Sequence, residues 1–520
     1  MITFFVGNGT QILNKKKYPL PHIILSQHSW NDWWEYKTLY NVKLIDTDGL
    51  TYDLGGLKIG SFDLDSGTPE LPLIFNELPN NFFSLGQDVS YYEDIRNLGD
   101  DYRETIHEAL HDIAYDEDLY DRAINQKVTY RSLIRSVSTH SVKGQFNRLA
   151  NGNANLTNYD FTYKSFSRKN ENRPIQLNFR VDPKSQPPTN IHVIIGRNGV
   201  GKTHLINNMI ESLLDESALK FGKFTSSISN RSSEIFANLV SVTFSAFDES
   251  EPKPERRDKR LGVSYSYIGL RAELKLSRST ENFTDDSKQT KKNYTTKSPT
   301  KLKNEFVKSA IACKVSGKLK RLRSAIRALE ADNIFNEADL ISIFDIPHEE
   351  EFEEKAGAIF NKFSSGHKIV LLTITRLVET LQERSLVLLD EPEAHLHPPL
   401  LSAFVRALSD LLIKQNAVAI IATHSPVVLQ EVPRSCCWKL RRAGANIHAE
   451  RLEIESFGEN VGSLTQEVFG LEVTDAGFHK VLRNTVIELE TYEEVLDRFA
   501  NQLGLEAKAI VRAMILNNNQ

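Results

Sequence analysis

The stretch Ile191-His-Val-Ile-Ile-Gly196-Arg-Asn-Gly-Val-Gly-Lys202-Thr203 decides the fold of this chain. A short apolar run is followed by a glycine-rich segment, which predicts a strand, a loop and then a helix. The spacing of Gly196, Gly201, Lys202 and Thr203 matches the phosphate-loop pattern, in which backbone N–H groups, a lysine and a hydroxyl meet phosphate and Mg²⁺. The sequence therefore predicts a nucleoside triphosphate site, whose binding residues are Gly196, Asn198, Gly199, Gly201, Lys202, Thr203 and His204.

The composition is that of a globular protein and limits the function classes. With 520 residues the chain is too long for one ordinary core, so we expect two or three structural units. A formal charge of −5 indicates no overall affinity for nucleic acid, although an average can hide a basic patch. No apolar run approaches the ~18–20 residues that cross a bilayer. The N-terminus lacks the layout of a signal peptide. The cysteines form no disulfide or zinc pattern. We therefore expect a cytoplasmic protein without membrane contact.

Two further segments predict the catalytic half of the site. The apolar run at residues 386–389 ends in Asp390 and Glu391, and the run at residues 417–423 ends at His424. Asp390 can hold Mg²⁺ through water, and Glu391 can orient and deprotonate the attacking water. His424 closes a strand at the same edge of the predicted sheet, within reach of the γ-phosphate. We therefore predict Glu391, His424 and Lys202 as catalytic residues, and Thr203 and Asp390 as metal ligands.

A helix predicted to begin near residue 364 supplies the remaining binding residues. Its first turn, Ser364, Ser365 and Gly366, presents free N–H groups and the positive end of a helix dipole, which favour an anion. By itself this pattern is weak evidence, because many helices start in this way. Its position between the phosphate loop and the acidic strand end makes it a candidate phosphate contact. We call these three residues the signature segment.

In chain order, the phosphate loop, the signature segment, Asp390-Glu391-Pro392 and Thr423-His424-Ser425 resemble the ABC-class ATPase heads of the SMC, RecF and OLD group. The resemblance covers residues 159–440 and implies an α/β head with a mixed or parallel sheet, helices and an antiparallel β subdomain, binding ATP and Mg²⁺. It also implies a homodimer or higher homo-oligomer, in which the signature segment of one subunit completes the other's site. Residues 394–398 would face the partner. Ser245 departs from the family, which usually places glutamine after this strand.

The rest of the chain divides by composition. Basic residues outnumber acidic ones about three to one between residues 253 and 327, which predicts solubility, contact with acidic helices or contact with nucleic-acid phosphates. The N-terminal region combines a hairpin with its turn at residues 46–49 and helices whose apolar rhythm runs from Ile95 to Ile113. We expect five regions: an N-terminal β and acidic helical region (1–158), a first half-head (159–250), a basic helical insertion (251–355), a second half-head (356–440) and a helical C-terminal tail (441–520).

The acidic residues of the N-terminal helices are predicted to lie on a solvated face, with a docking surface for a basic partner as the alternative. They are Asp100, Asp101, Glu104, Glu108, Asp112, Asp116, Glu117 and Asp118.

A finer resemblance concerns two other stretches. Phe83-Ser-Leu-Gly-Gln-Asp-Val-Ser-Tyr-Tyr and Phe457-Gly-Glu-Asn-Val-Gly are similar to PtuA-type ATPases of Septu and Septu-containing retron anti-phage systems. That similarity implies a separate HNH nuclease partner of the PtuB type, and in a retron a reverse transcriptase with its msDNA. The tail shows no paired acidic cluster like a Toprim nuclease, so we expect no nuclease centre in the chain itself. The alternative is a RecF-like repair ATPase that grips duplex DNA with its basic insertion.

Overall fold

A computed structural model describes most of the chain. The described residues are 2–7, 18–27, 35–153, 156–166, 174–215, 217–226, 232–244, 252–256, 263–273, 294–444, 446–470, 477–489 and 491–518.

The described strands fall into four sheets. They are β1 (Thr3–Gly7), β2 (His22–Gln27), β3 (Leu39–Ile45), β4 (Thr51–Ser61), β5 (Ile74–Phe75), β6 (Phe82–Gly86), β7 (Tyr159–Lys164), β8 (Gln176–Val181), β9 (Ile191–Gly196), β10 (Lys223–Ser226), β11 (Asn238–Thr243), β12 (Ser264–Gly269), β13 (Arg271–Glu273), β14 (Tyr294–Thr296), β15 (Ser385–Asp390), β16 (Val418–Thr423), β17 (Cys437–Ala443) and β18 (Asn446–Glu450).

The described α-helices alternate with these strands and also form separate groups. They are α1 (Val89–Asn97), α2 (Asp100–Ala109), α3 (Glu117–Ala123), α4 (Thr139–Ser141), α5 (Asn147–Ala150), α6 (Lys202–Leu214), α7 (Ser232–Ile235), α8 (Pro299–Val315), α9 (Leu319–Leu329), α10 (Asn333–Glu337), α11 (Leu340–Ile343), α12 (Glu349–Lys362), α13 (Ser365–Thr380), α14 (Pro398–Lys414), α15 (Pro426–Leu429), α16 (Val461–Phe469), α17 (Gly477–Glu488), α18 (Tyr492–Arg498) and α19 (Leu505–Asn518).

The head is built on a seven-stranded sheet in the order β12-β11-β15-β16-β9-β17-β18. All pairs are parallel except β17–β18, which is an antiparallel hairpin. Every position of β9, β11, β15 and β16 is buried, as expected for parallel strands that are covered by helices on both faces. Because these strands are parallel, the carboxyl ends of β9, β15 and β16 meet at one edge. The predicted α/β class and the single edge for the site are confirmed.

The antiparallel β subdomain is also confirmed. Strands β10, β7 and β8 form a three-stranded antiparallel sheet. Buried and exposed positions alternate along β7 and β8, so that one face carries Phe161 and Phe179 into the core above β9 and α6. This alternation is the signal from which the sequence predicted half-exposed strands.

The helices predicted as a basic insertion belong to the head itself. Phe306 of α8, Leu322 of α9 and Phe352 of α12 are buried in one hydrophobic core with β11, β15 and the signature helix α13. Strand β12, which also lies within residues 251–355, forms the edge of the main sheet, and β17–β18 extends that sheet past residue 440. The boundaries at 251 and 440 therefore do not coincide with the edges of the described head.

The N-terminal region folds around its own core. Its six-stranded sheet has the order β5-β1-β2-β3-β4-β6, and α1, α2 and α3 pack on it. The predicted hairpin is β3–β4, where the Asp46 carboxylate accepts the N–H groups of Asp48 and Leu50 at 2.9 and 2.8 Å. Seven of the eight acidic residues predicted to be solvated are exposed. The prediction is wrong for Asp112, which is fully buried and accepts hydrogen bonds from Tyr92 Oη and Ala114 N.

Basic residues of α9 connect this region to the head. Arg321 forms an ion pair with Asp88, and Lys320 forms one with Asp94 of α1. Lys318 donates to Glu379 O at 2.6 Å, and Arg323 pairs with Asp345. The sequence left three roles open for the basic stretch: solubility, contact with acidic helices and contact with nucleic-acid phosphates. Lys320 and Arg321 take the second role, because they pair with carboxylates of the N-terminal region. These four side chains are held by protein groups, which argues against their use as phosphate contacts.

The C-terminal helices α17, α18 and α19 share a small core of their own, which includes Leu482, Val495 and Val511. Helix α18 begins at a capping box, because Thr491 Oγ1 accepts Glu494 N and the Glu494 carboxylate accepts Thr491 N. Cys313, Cys436 and Cys437 are buried free thiols, in agreement with the absence of a disulfide pattern in the sequence. Among the described helices, none has the length and apolar character that a membrane span requires.

Candidate ATP site

Strand β9 delivers the phosphate loop to the N-terminus of α6. Gly199 and Gly201 have φ values of +74° and +103°, which residues with a Cβ rarely adopt, so the loop needs glycine at both positions. The Lys202 side chain is 4% exposed, and its Nζ donates to Gly196 O at 3.0 Å and Arg197 O at 3.2 Å. Burial lowers the pKa of Lys202, while the charges of Glu391, Asp390 and Glu393 oppose that shift. The two hydrogen bonds to loop carbonyls hold the Lys202 side chain in place beside these carboxylates.

The other residues predicted to bind the triphosphate differ in how far they are exposed to solvent. Thr203 follows it on the first turn of α6 and is half-buried, whereas Asn198 and His204 are exposed. The Gly199 carbonyl accepts Arg442 Nη1 from strand β17 at 3.3 Å. The β17–β18 hairpin therefore supports the loop from the side.

The three predicted catalytic residues converge at the carboxyl edge of the sheet. Glu391 Oε1 lies 3.8 Å from Lys202 Nζ and 3.6 Å from His424 Nδ1. Glu391 has φ +47°, a left-handed conformation that is uncommon for a residue with a side chain, and its N–H donates to Ala422 O at 2.8 Å. Such conformations cost free energy and persist where the surroundings enforce them, often at functional sites. The Glu391 carboxylate is thus held between a lysine and a histidine while remaining 28% exposed.

A residue that the sequence reasoning missed completes this cluster. Glu393 Oε1 accepts Thr423 Oγ1 at 2.5 Å and His424 N at 2.8 Å, and it lies 3.2 Å from His424 Nδ1. The hydrogen bonds from Thr423 Oγ1 and His424 N fix the Glu393 carboxylate, and both Glu391 and Glu393 lie on the Nδ1 side of the imidazole. Glu393 is therefore a further acidic neighbour of His424. The only signal in the sequence was a third carboxylate shortly after Asp390-Glu391, which periodicity does not distinguish from an exposed side chain.

The residues present fit Mg²⁺ together with a triphosphate. Asp390 is 4% exposed and lines a cavity of ≈290 Å³ beside α6, together with Asn207 and Thr243. Magnesium is commonly held by one or two carboxylates and phosphate oxygens, and a P-loop hydroxyl often completes its shell. Thr203 and Asp390 are the residues that would hold it here. Ser245, where the departure from the family's glutamine was noted, lies outside the described residues.

The signature segment begins helix α13, as predicted, and packs against the segment that follows β15 in the same chain. Ser364 is the N-cap, and Ser364 and Ser365 are exposed. A Cβ on Gly366 would lie 2.6 Å from His395 O, so only glycine permits this close approach to the segment after β15. The structure therefore brings the signature segment together with residues 394–398, the two segments that the resemblance assigns to a partner-facing surface.

A second missed feature supports the signature serine. Ser364 Oγ lies 2.7 Å from His367 Nδ1, and His367 Nε2 lies 3.1 Å from Asp332 Oδ1. The His367 side chain is 5% exposed and that of Asp332 is 10% exposed. Asp332 precedes Ser364 by 32 residues, on the turn between α9 and α10, so no local pattern in the sequence could connect the two.

Comparisons with known proteins found a matching family model and a relative of similar length. A family model described as "AAA domain, putative AbiEii toxin, Type IV TA system" matches residues 211–430. Protein ea59 of Escherichia phage lambda is 39% identical over 521 residues, and the match covers 95% of each chain.

Solved structures with similarity to this chain include ATP-binding subunits of ABC transporters. One is cbiO1 from Clostridium perfringens, part of the transporter complex cbiONQ, with 13% identity and a TM-score of 0.30 over 64% of this chain and 96% of that one. Another is an ATP-binding cassette in its ADP conformation, with 15% identity and a TM-score of 0.31 over 62% of this chain and 100% of that one.

The strand order, the phosphate loop and the carboxylates at the strand ends define an ABC-type ATPase domain, a fold that binds nucleotide. The 39% identity over almost the whole length shows that the chain belongs to the family of protein ea59 of Escherichia phage lambda.

Proposed function

We propose that this protein binds and hydrolyses ATP with Mg²⁺, and that hydrolysis takes place in a head-to-head dimer. The observation that carries the proposal is the convergence of Lys202, Glu391 and His424 within 4 Å contacts at one sheet edge. A buried ammonium can stabilise phosphate charge, an accessible carboxylate can orient and deprotonate water, and an imidazole beside them can donate to a phosphate oxygen. The phosphate loop supplies the binding half of the same site.

Each residue has a role that follows from its contacts. The Lys202 ammonium, which bonds to two loop carbonyls, turns to the β- and γ-phosphate oxygens and stabilises their charge. Glu391 accepts a hydrogen bond from the attacking water, orients it and receives its proton. His424, whose Nδ1 lies 3.2 Å from Glu393 Oε1, contacts the γ-phosphate from the same sheet edge. Mg²⁺ would be held by Thr203 and Asp390 and would supply positive charge that stabilises the phosphate oxygens.

A second copy of the chain completes the site. The exposed hydroxyls of Ser364 and Ser365, at the positive end of helix α13, form a surface suited to phosphate. The close approach of the neighbouring Gly366 to His395 O places this surface beside residues 394–398. ATP bound to one subunit would be covered by the signature segment of the other, so binding would drive assembly.

The variant Glu391→Gln tests the hydrolytic role. It keeps the shape and removes the base, so we expect turnover to fall by about 10²-fold or more while ATP binding and ATP-driven dimerisation persist. The control Glu431→Gln removes a carboxylate that pairs with Arg406 outside this cluster and should leave turnover unchanged. Phosphate release measures turnover, and sedimentation measures assembly. Residual turnover of Glu391→Gln close to that of the unmodified chain would refute the assignment.

The finer part of the proposal is that ATP-driven assembly controls a separate HNH nuclease of the PtuB type in an anti-phage complex, with a retron reverse transcriptase and msDNA as further partners. Its support is the sequence similarity at Phe83–Tyr92 and Phe457–Gly462 to PtuA-type ATPases. Since a 39% identical relative belongs to phage lambda, such a defence function could be carried by a phage against a competing phage.

Co-purification tests this finer part. The affinity-tagged chain, expressed from its native gene neighbourhood, should retain a nuclease subunit in fixed stoichiometry. Nuclease activity of that complex should differ between the unmodified chain and Glu391→Gln. A tagged chain that purifies without a nuclease under these conditions would contradict the finer proposal and leave the ATPase assignment intact.

A further inference from the structure

The three C-terminal helices form a unit that covers only part of its apolar surface. Helices α17, α18 and α19 share a core of five buried side chains, and every described hydrophobic residue packed against that core lies between Leu482 and Ile515. Units of about 40 residues rarely bury enough apolar area to be stable unless a disulfide, a metal or association with another chain assists them. Residues 477–518 contain no cysteine, and the described residues contain no cluster of side chains that could hold a metal ion. Association with another chain is the remaining source of stability.

Helix α19 is apolar on two opposite faces. Ala507 and Val511 lie on one face and are buried in the core of the unit. On the other face, which we call the α19 stripe, four exposed apolar residues recur at intervals of four, four and three: Leu505, Ala509, Ala513 and Leu516. Leu505 is 89% exposed and Leu516 is 66% exposed. A helix with apolar residues all round its surface is normally buried, so the α19 stripe needs a cover.

The exposed charged residues of α19 lie beside the stripe and balance each other. The Arg512 guanidinium lies 4.6 Å from the centre of the Tyr492 ring of α18, in a cation–π contact. Glu506 is exposed on the other flank of the stripe. Like charges that face each other across an interface oppose association, and α19 presents one charge of each sign. Two copies of this helix can therefore approach each other.

The order of residues along the α19 stripe is nearly the same in both directions. Leucines stand at both ends and alanines in the middle, so a two-fold axis at the level of Val511 relates the two ends. This axis places Leu505 of one copy against Leu516 of the other. It also places Ala509 against Ala513, whose small side chains let the helix axes approach to about 8 Å. An isologous contact between identical chains requires such a self-complementary stripe, whereas a different protein would not impose this symmetry.

We propose that the C-terminal helical unit is a self-association surface, in which α19 of a second copy of this chain packs antiparallel along the α19 stripe. The contact involves no nucleotide, so it keeps two copies together between ATP turnovers and raises the effective concentration of their heads. The inference goes beyond the proposed function and does not depend on it, because the proposed ATP-driven contact lies at the signature segment and residues 394–398 of the head.

Sedimentation equilibrium of the full chain without nucleotide tests this contact. The unmodified chain should self-associate, and Leu505→Asp should weaken association by at least about tenfold, because each pair loses two buried leucines and gains two desolvated carboxylates. Leu516→Lys should have a similar effect. Both leucines are exposed in the single copy, and an acid at the start and a base at the end of a helix agree with its dipole, so the fold should persist. An equimolar mixture of the two variants should regain association, because the introduced aspartate of one chain faces the introduced lysine of the other.

The matched control is Ile487→Asp, which changes another exposed apolar residue of the same unit, on α17, and should leave association unchanged. An unmodified chain that is monomeric without nucleotide, or one whose association Leu505→Asp leaves unchanged, would overturn the proposal. If Leu505→Asp still self-associates but loses a nuclease that co-purifies with the unmodified chain, that protein and not a second copy covers the stripe. A mixture of the two variants that fails to associate would overturn the antiparallel pairing. None of these results decides the ATP-driven contact of the heads, which the same instrument measures after Mg²⁺ and ATP are added.

Discussion

The contact between Arg321 and Asp88 gives the sharpest stability prediction. The Arg321 side chain is 6% exposed and that of Asp88 is 2% exposed, and Arg321 Nη1 also donates to Val378 O and Leu381 O at 3.3 and 3.1 Å. The variant Arg321→Met removes the charge and leaves a buried carboxylate and two carbonyls without this donor. Breaking a buried ion pair in this way costs about 3–5 kcal/mol.

Lys320, the adjacent residue, is a matched control. It pairs with Asp94, but the two side chains are 36% and 30% exposed, so solvent screens the pair. We expect Lys320→Met to lower the free energy of unfolding by about 0–1 kcal/mol, as is usual for exposed ion pairs. The comparison separates the effect of a buried charge from the general loss of a basic residue on α9.

Native-state hydrogen exchange is the suitable assay, because a chain with several hydrophobic cores does not unfold in one step. Amides of α1 and α9 should lose about two to four orders of magnitude of protection in Arg321→Met and at most about fivefold in Lys320→Met. The double variant Asp88→Asn with Arg321→Met should regain part of the loss, because neither buried charge remains and asparagine still caps α1. Equal effects of the two single variants would refute the reasoning.

Three further predictions concern single residues. Replacing Glu393 by Gln should lower turnover about tenfold with little change in ATP affinity, because it removes the carboxylate charge 3.2 Å from His424 Nδ1; an unchanged kcat would contradict a role of Glu393 in turnover. Replacing Gly366 by Ala should weaken ATP-driven dimerisation, because the new Cβ would lie 2.6 Å from His395 O. The control is Gly357→Ala on α12, whose Cβ would lie 3.4 Å from the Lys303 side chain. Sedimentation should detect weaker assembly in the first variant and no change in the second. Burial lowers the pKa of Lys318 to about 8, and the nearby Arg321 charge acts in the same direction, so the folded protein loses this proton before the unfolded chain does. Stability should therefore gain up to about 1.4 kcal/mol per pH unit from this group between pH ~8 and ~10.4, and Lys318→Met should flatten that gain in Tm scans; an identical pH dependence would contradict it.

Much of the fold was predictable because local patterns report it directly. The apolar runs before Asp390 and His424 are continuous, as buried parallel strands require, and the phosphate-loop glycines occupy positive φ values that other residues avoid. Carboxyl ends of parallel strands share an edge, so the meeting of Lys202, Glu391 and His424 followed from the strand assignments alone.

Predictions failed where distant segments decide the environment of a residue. Asp112 matches its exposed acidic neighbours in sequence, yet the fold buries it against Tyr92. The boundaries of the basic helical insertion at 251 and 355 followed a change in composition, and the apolar faces of its helices at residues 299–362 complete the core of the head. Composition describes only which groups a segment offers, and burial depends on what the rest of the chain brings to it.

The sequence by itself determined the ATPase fold, the residues of the phosphate loop and the residues predicted at the carboxyl edge of the sheet. Each of these features depends on a short, contiguous motif that can be recognised without the tertiary structure. The tertiary structure alone decided which groups lie beside them. Glu393 lies beside His424, and Asp332 lies beside His367 beneath Ser364, through contacts made by side chains from separate elements. It also decided that Lys320 and Arg321 join the two halves of the protein, since a basic residue acquires its partner only when the chain has folded.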